Sequence, residues 1–219
     1  MSGRGAALQL AGTGHVADDL YLMAHNDVTG RPYLQPRALG LGLAGALLAE
    51  LMLAGQVDAG WRGLTVVGHA SAEDHLSGLV LKLIAKERGQ VTAGEWLQFL
   101  ARTAAHDVAG RLGERGYLAP VSSRRPWRAE RWVPVDPDCA FAPLTRARAA
   151  LDPARPVTMI SATLAGLAAA CGMGARLLYY APPGSRRPEE TVHVLPSGMR
   201  DLIAQTQAAV DSAVLAQRV

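Results

Sequence analysis

Residues 38–51 read ALGLGLAGALLAEL, and the fold turns on what that stretch is. Gly40, Gly42 and Gly45 fall in the spacing G-x-G-x-x-G of a dinucleotide-binding loop. Such a loop needs a buried strand directly before it, because its first glycine makes the strand-to-helix turn. Here the preceding residues are YLQPR, and Pro36 would interrupt the ladder of a central strand. Asp58 stands about where a ribose-binding acid belongs, but without the strand that match is a coincidence. Residues 38–55 are almost uncharged and just reach bilayer-spanning length, yet Glu50 and the three glycines lower the hydropathy and the flanks carry no strong anchors. The reading that remains is a helix apolar on all sides, at the centre of a helical bundle, with glycines that let its neighbours approach closely. Pro36 suits its first position, and Gly55 stops it just after Ala54.

Around that helix the chain reads as mainly helical. Its 219 residues suffice for one core, 49% are apolar, and Val and Ile are scarce beside Ala and Leu. Thr13 is placed to cap a short helix bearing Val16, Leu20 and Met23, with Asp18 and Asp19 in its first turns. A turn-rich connection, AHNDVTGRPYLQP, leads to the central helix, and VDAGWRGLTVVG after it reads as a short hairpin. Ser71 opens the next helix, in which Leu76, Leu79, Val80, Leu83 and Ile84 follow helical spacing up to Gly89. Thr92 and Glu95 form a capping box ahead of WLQFLARTAAHDVAGRLGERG, read as one helix. Residues from about 117 to 135 read as a β-hairpin with a basic tip, and helices resume at DCAFAPLTRARAAL, PVTMISATLAGLAAACG and PSGMRDLIAQTQAAVDSAVLAQ. The expected architecture is all-α: an N-terminal tail at 1–13 and one domain over 14–219 carrying the hairpin.

No enzyme signature emerges. G-x-S-x-G, Walker A and C-x-x-C motifs are absent. His69, Glu73 and His75 cluster in HASAEDH, but the two histidines are six apart rather than the four a helical zinc motif needs, so neither a metal nor a catalytic residue is assigned. His15 beside Asp18 and Asp19 reads as a solvated helix start, and His25, His106 and His193 stand alone. Cys139 and Cys171 make no disulfide framework, and MSGRGAALQL has no apolar signal region, so a cytoplasmic protein without cofactor is expected. The net charge is +3, carried almost wholly by arginine, since Lys82 and Lys86 are the only lysines.

The most unusual stretch is SSRRPWRAERW, residues 122–132. Arg124, Arg125, Arg128 and Arg131 interleave with Trp127 and Trp132, opposed only by Glu130. Indole at headgroup depth with guanidinium on lipid phosphate suits a membrane interface. The same residues also suit a subunit contact, an inert solvated loop or, least well, nucleic acid, so these alternatives stay open here.

HVADDLYLMAHNDVTGRPYL, then LGLAGALLAELMLAGQV, then DVAGRLGERGYL before a hairpin resembles, in that order, the Golgi phosphoprotein 3 family over roughly residues 14–215. The resemblance implies a hydrophobic central helical core wrapped by amphipathic helices, with a projecting β-hairpin. It further implies a peripheral membrane protein that binds phosphatidylinositol 4-phosphate, acts as an adaptor for membrane-protein clients and oligomerises through the hairpin. The chain looks like a bacterial version, for which a Golgi location does not carry over. Aligned on the family's lipid pocket, Gln35 falls at a tryptophan position, Ala44 and Ala105 at arginine positions, and Arg102 at a matching arginine. Arg37, two turns before Ala44, and His106, one turn after Arg102, are the candidates to compensate. The expectation is an adaptor binding anionic phospholipid, peripherally attached from the cytoplasm. The alternative is a soluble oligomeric scaffold whose hairpin joins subunits.

Overall fold

A computed structural model describes residues 12–60, 63–67, 74–121, 131–179 and 181–216. The central stretch is a helix, α2 (Pro36–Leu53), with proline at its start as expected. Helix α1 (Val16–Met23) precedes it. After α2 come strands β1 (Val57–Gly60) and β2 (Gly63–Val66), which pair antiparallel, then α3 (His75–Lys86). Helices α4 (Ala93–Leu100) and α5 (Ala104–Glu114) lead to a second antiparallel pair, β3 (Leu118–Val121) with β4 (Arg131–Pro134). Helix α6 (Pro137–Ala149) and α7 (Met159–Ala168) follow; α7 runs through a π turn, Ala169–Met173, into α8 (Gly174–Leu178). Short α9 (Pro188–Thr191) and long α10 (Ser197–Ala216) complete the chain. The protein is mainly helical, with two small hairpins.

Helix α2 is packed by α1, α3, α4, α5, α7 and α10. From Ala38 to Ala49 every residue of it is buried. The three glycines are contact points between helices. A Cβ on Gly40 would stand 2.4 Å from the carbonyl oxygen of Ala101, one on Gly42 2.2 Å from Cys171 Sγ, and one on Gly45 2.6 Å from Thr206 Oγ1. Only hydrogen fits at those distances, so neither phosphate nor lipid explains the motif. Two segments, Pro36–Leu53 and Met159–Leu178, are long and apolar enough to cross a bilayer, but 72% and 67% of them lie inside the fold.

Several local expectations need correcting. Helix α3 begins at His75 with Asp74 as its cap, accepting from the amides of Leu76 and Ser77. Leu79 is exposed on it, because Leu76, Val80 and Ile84 already define the inner face. The helix after the capping box is two helices, broken at residues 101–103. Thr13 does not cap α1; its hydroxyl donates to Asp19 Oδ1 at 2.9 Å or to the His15 carbonyl at 3.0 Å.

Candidate functional site

The N-terminal end of α2 opens onto solvent. Gln35, Pro36 and Arg37 are exposed, no side chain caps the helix, and no acid stands in its first turn. The free amides and aligned peptide dipoles of an 18-residue helix therefore leave positive potential at that end. Arg37 donates to the side chain of Gln98 on α4. The Gly40–Ala101 contact brings the break between α4 and α5 against the same end of α2. Arg102 is exposed in that break, and His106 is exposed in the first turn of α5, itself uncapped by a side chain. Two helix starts and two arginines thus converge, with Gln35 and His106 at the margins and one acid, Asp107, in the first turn of α5.

The expected pocket is only partly assembled. Ala44 is fully buried, so its position in α2 faces the core, whereas Arg37 is exposed at the helix start. Ala105 is half-buried beside Arg102. Because a helix break separates them, Arg102 and His106 are not stacked one turn apart as a continuous helix would place them.

The base of the β3–β4 hairpin packs against the turn after α1 and the C-terminal end of α5. Asn26 Oδ1 accepts from the amides of Val28 and Thr29, closing a turn through Gly30. Gly30 has φ 62°, and a Cβ there would fall 2.0 Å from the Trp132 carbonyl oxygen. The Trp132 ring lies over Gly113 of α5, where a Cβ would approach it to 2.6 Å. Trp132, expected at a membrane or subunit interface, is half-buried against its own domain, and Arg131 is exposed. Arg124, Arg125, Trp127 and Arg128 lie outside the described residues.

At the other end of α2, roughly 21 Å from Pro36 along the axis, charges are sealed inside the protein. Asp18 and Asp19 are 0% and 1% exposed, not solvated. Arg111 donates to Asp18 at 2.7 Å, to both oxygens of Glu50 at 3.0 Å and to Asp74 at 3.3 Å. Arg115 also meets Asp18, at 2.9 Å, and Arg146 meets Asp19 at 2.7 Å. His15 Nδ1 lies 3.7 Å from Glu50 and 3.8 Å from Asp74. Glu50 draws the His15 pKa upward against burial, while burial pushes Asp18 up to about 6 despite its two guanidiniums. The cluster borders a cavity of about 290 Å³, but each carboxylate is already hydrogen-bonded to protein. Sequence reasoning missed this network. The available signal was a pair of acids inside the otherwise apolar VADDLYLM.

His75 is exposed, and His69 and Glu73 lie outside the described residues. Among the described residues no three His, Cys, Asp or Glu side chains are grouped to hold a metal.

The family model described as Golgi phosphoprotein 3 (GPP34) matches residues 16–214, nearly the whole chain. No curated protein matches it.

Proposed function

Because the chain belongs to the Golgi phosphoprotein 3 (GPP34) family, we propose that it is a non-enzymatic peripheral membrane protein that binds anionic phospholipid through the N-terminal end of α2. The observation that carries this reading is the convergence of the uncapped starts of α2 and α5 with exposed Arg37 and Arg102. Backbone amides and guanidiniums at one spot are what a lipid phosphate requires. Headgroup choice follows from what is missing. With Gln35, Ala44 and Ala105 in place of a tryptophan and two arginines, the face attracts negative charge without enclosing a 4-phosphate.

Strength follows from the same count. Each basic side chain near an anionic leaflet contributes about 1 kcal/mol, so Arg37 and Arg102 give roughly 2 kcal/mol, about thirtyfold. Stable docking needs further contacts. The sequence 122–131 offers them, with four arginines against one glutamate and Trp127 among them. A membrane held this way suits an adaptor that recruits membrane-protein clients or further copies of itself.

Co-sedimentation with phosphatidylcholine vesicles, and with vesicles containing phosphatidylglycerol or phosphatidylinositol 4-phosphate, tests the reading. Salt-sensitive binding to both anionic types, weakened by Arg37→Gln with Arg102→Gln, is expected. Equal indifference of wild type and variant to every vesicle would overturn it and favour the soluble oligomeric scaffold.

A further inference from the structure

Helix α4 carries an aromatic residue that its own packing does not use. Trp96, Leu97 and Leu100 are buried, which leaves Gln98 and Phe99 facing solvent. Phe99 is 49% exposed. Single apolar side chains are ordinary on a protein surface, so exposure alone assigns nothing to it. Its neighbours do.

Two contacts fix its place relative to the arginines at the start of α2. Gln98, the adjacent residue, accepts a hydrogen bond from Arg37. Beyond α4 the backbone keeps a helical path for one more step. Ala101 N donates to the Leu97 carbonyl at 3.0 Å, and Arg102 N to the Phe99 carbonyl at 3.4 Å. Residues three apart in such a turn are neighbours on one face, so Arg102 follows directly on Phe99. The Phe99 ring meets the buried Trp96 ring edge to face, with 5.8 Å between centroids. That contact braces one side of the ring and leaves the other open. Of the acids on α4 and α5, Glu95 lies one turn behind Phe99 with its carboxylate taken by the amide and hydroxyl of Thr92. Asp107 is half-buried beyond the break, and Glu114 stands at the far end of α5.

We infer that Phe99 is the apolar anchor of the α2 end, its ring entering the glycerol and upper acyl layer of an anionic bilayer while Arg37 and Arg102 stay level with the phosphates. Charge and polarity together select that occupant. An apolar layer beneath a plane of negative phosphates matches an aromatic ring set among guanidiniums. A soluble phosphate would satisfy the arginines and leave the ring in water. An apolar protein surface would cover the ring at the expense of desolvating the arginines. The inference rests on the membrane reading above and supplies a further contact of the kind that two arginines need for stable docking.

The test uses the whole chain and vesicles of phosphatidylcholine with phosphatidylglycerol, over a range of salt. Phe99→Ser should weaken binding about tenfold at every salt, because the share it removes is apolar and unscreened. Arg37→Gln with Arg102→Gln should instead flatten the dependence on salt. Phe99→Leu should bind almost as wild type, and all variants should keep their urea midpoints. A direct reading comes from 4-fluorophenylalanine, which labels only Phe99 and Phe141. In bicelles carrying phosphatidylglycerol and a lipid spin-labelled high on its acyl chain, the Phe99 fluorine should relax severalfold faster than that of Phe141. Unchanged binding by Phe99→Ser, or equal relaxation of the two fluorines, would overturn the anchor and keep the arginine face. A wild type that ignores anionic vesicles would overturn both. A smaller assembly formed by Phe99→Ser without lipid would overturn the anchor in favour of a contact between copies.

Discussion

Asp18 and Arg111, 93 residues apart in the chain, meet at 2.7 Å with the carboxylate fully buried and the guanidinium 5% exposed. Around this pair, α1, α2, α5 and the cap of α3 are joined by charge rather than by apolar packing alone. An ion pair of this kind adds little net stability when intact, but losing one partner strands the other in low dielectric.

Arg111→Ala therefore leaves Asp18 and Glu50 without their shared guanidinium. Its unfolding free energy, from urea denaturation at neutral pH, should fall by about 3–5 kcal/mol. A loss within experimental error would mean that solvent reaches the cluster.

The same cluster sets how stability depends on pH. His15 and Asp18 both titrate higher in the folded protein than unfolded, so each contributes stability that is fully present below its unfolded pKa. That of Asp18 fades between the ordinary carboxylate range and about 6, and that of His15 as pH rises through its own elevated pKa. Glu50 and Asp74, held low by His15, Ser77 and Arg111 against burial, act oppositely, and their contribution is lost as pH falls below the ordinary carboxylate range. Urea midpoints should therefore peak in mild acid and decline toward neutrality. His15→Gln should flatten the part of the decline nearest neutrality, and an unchanged profile in that variant would remove His15 from the account.

Close helix approach makes a sharper test of the glycines. Gly42→Ala would drive a methyl into Cys171 Sγ, destabilising the protein by about 1–3 kcal/mol. Adding Cys171→Ala removes the obstructing atom, so the two changes should be strongly non-additive in a double-mutant cycle. Gly40→Ala meets backbone at Ala101 and has no such rescue.

Trp132 belongs to the domain's own packing. Trp132→Ala should lower stability by roughly 2 kcal/mol, because its ring covers Gly113. Arg131→Ala, one residue away and exposed, should stay within about 0.5 kcal/mol of wild type, both variants being compared by urea denaturation.

The sequence by itself determined the helical class and the place of α2. An unbroken apolar stretch with proline at its head leaves no polar face, so it must be surrounded on all sides. The hairpins and the capping box at Thr92 were equally legible, since each depends only on neighbours in the chain. Arg102 and Arg37 were named from position alone, and tertiary structure decided that they share an end of the molecule, through the Gly40–Ala101 contact. It also reversed one reading, taking Asp18 and Asp19 from solvent to the core, and it packed one side of Trp132 against its own domain. The physical reason is the same in both cases. A charge can be buried only if its counter-charges are there, and an indole turns inward only if glycines leave it room. Arg111 and Arg115 lie more than ninety residues from Asp18, and Gly30 lies about a hundred from Trp132. No local pattern carries such pairings, because only the folded chain brings the partners within reach.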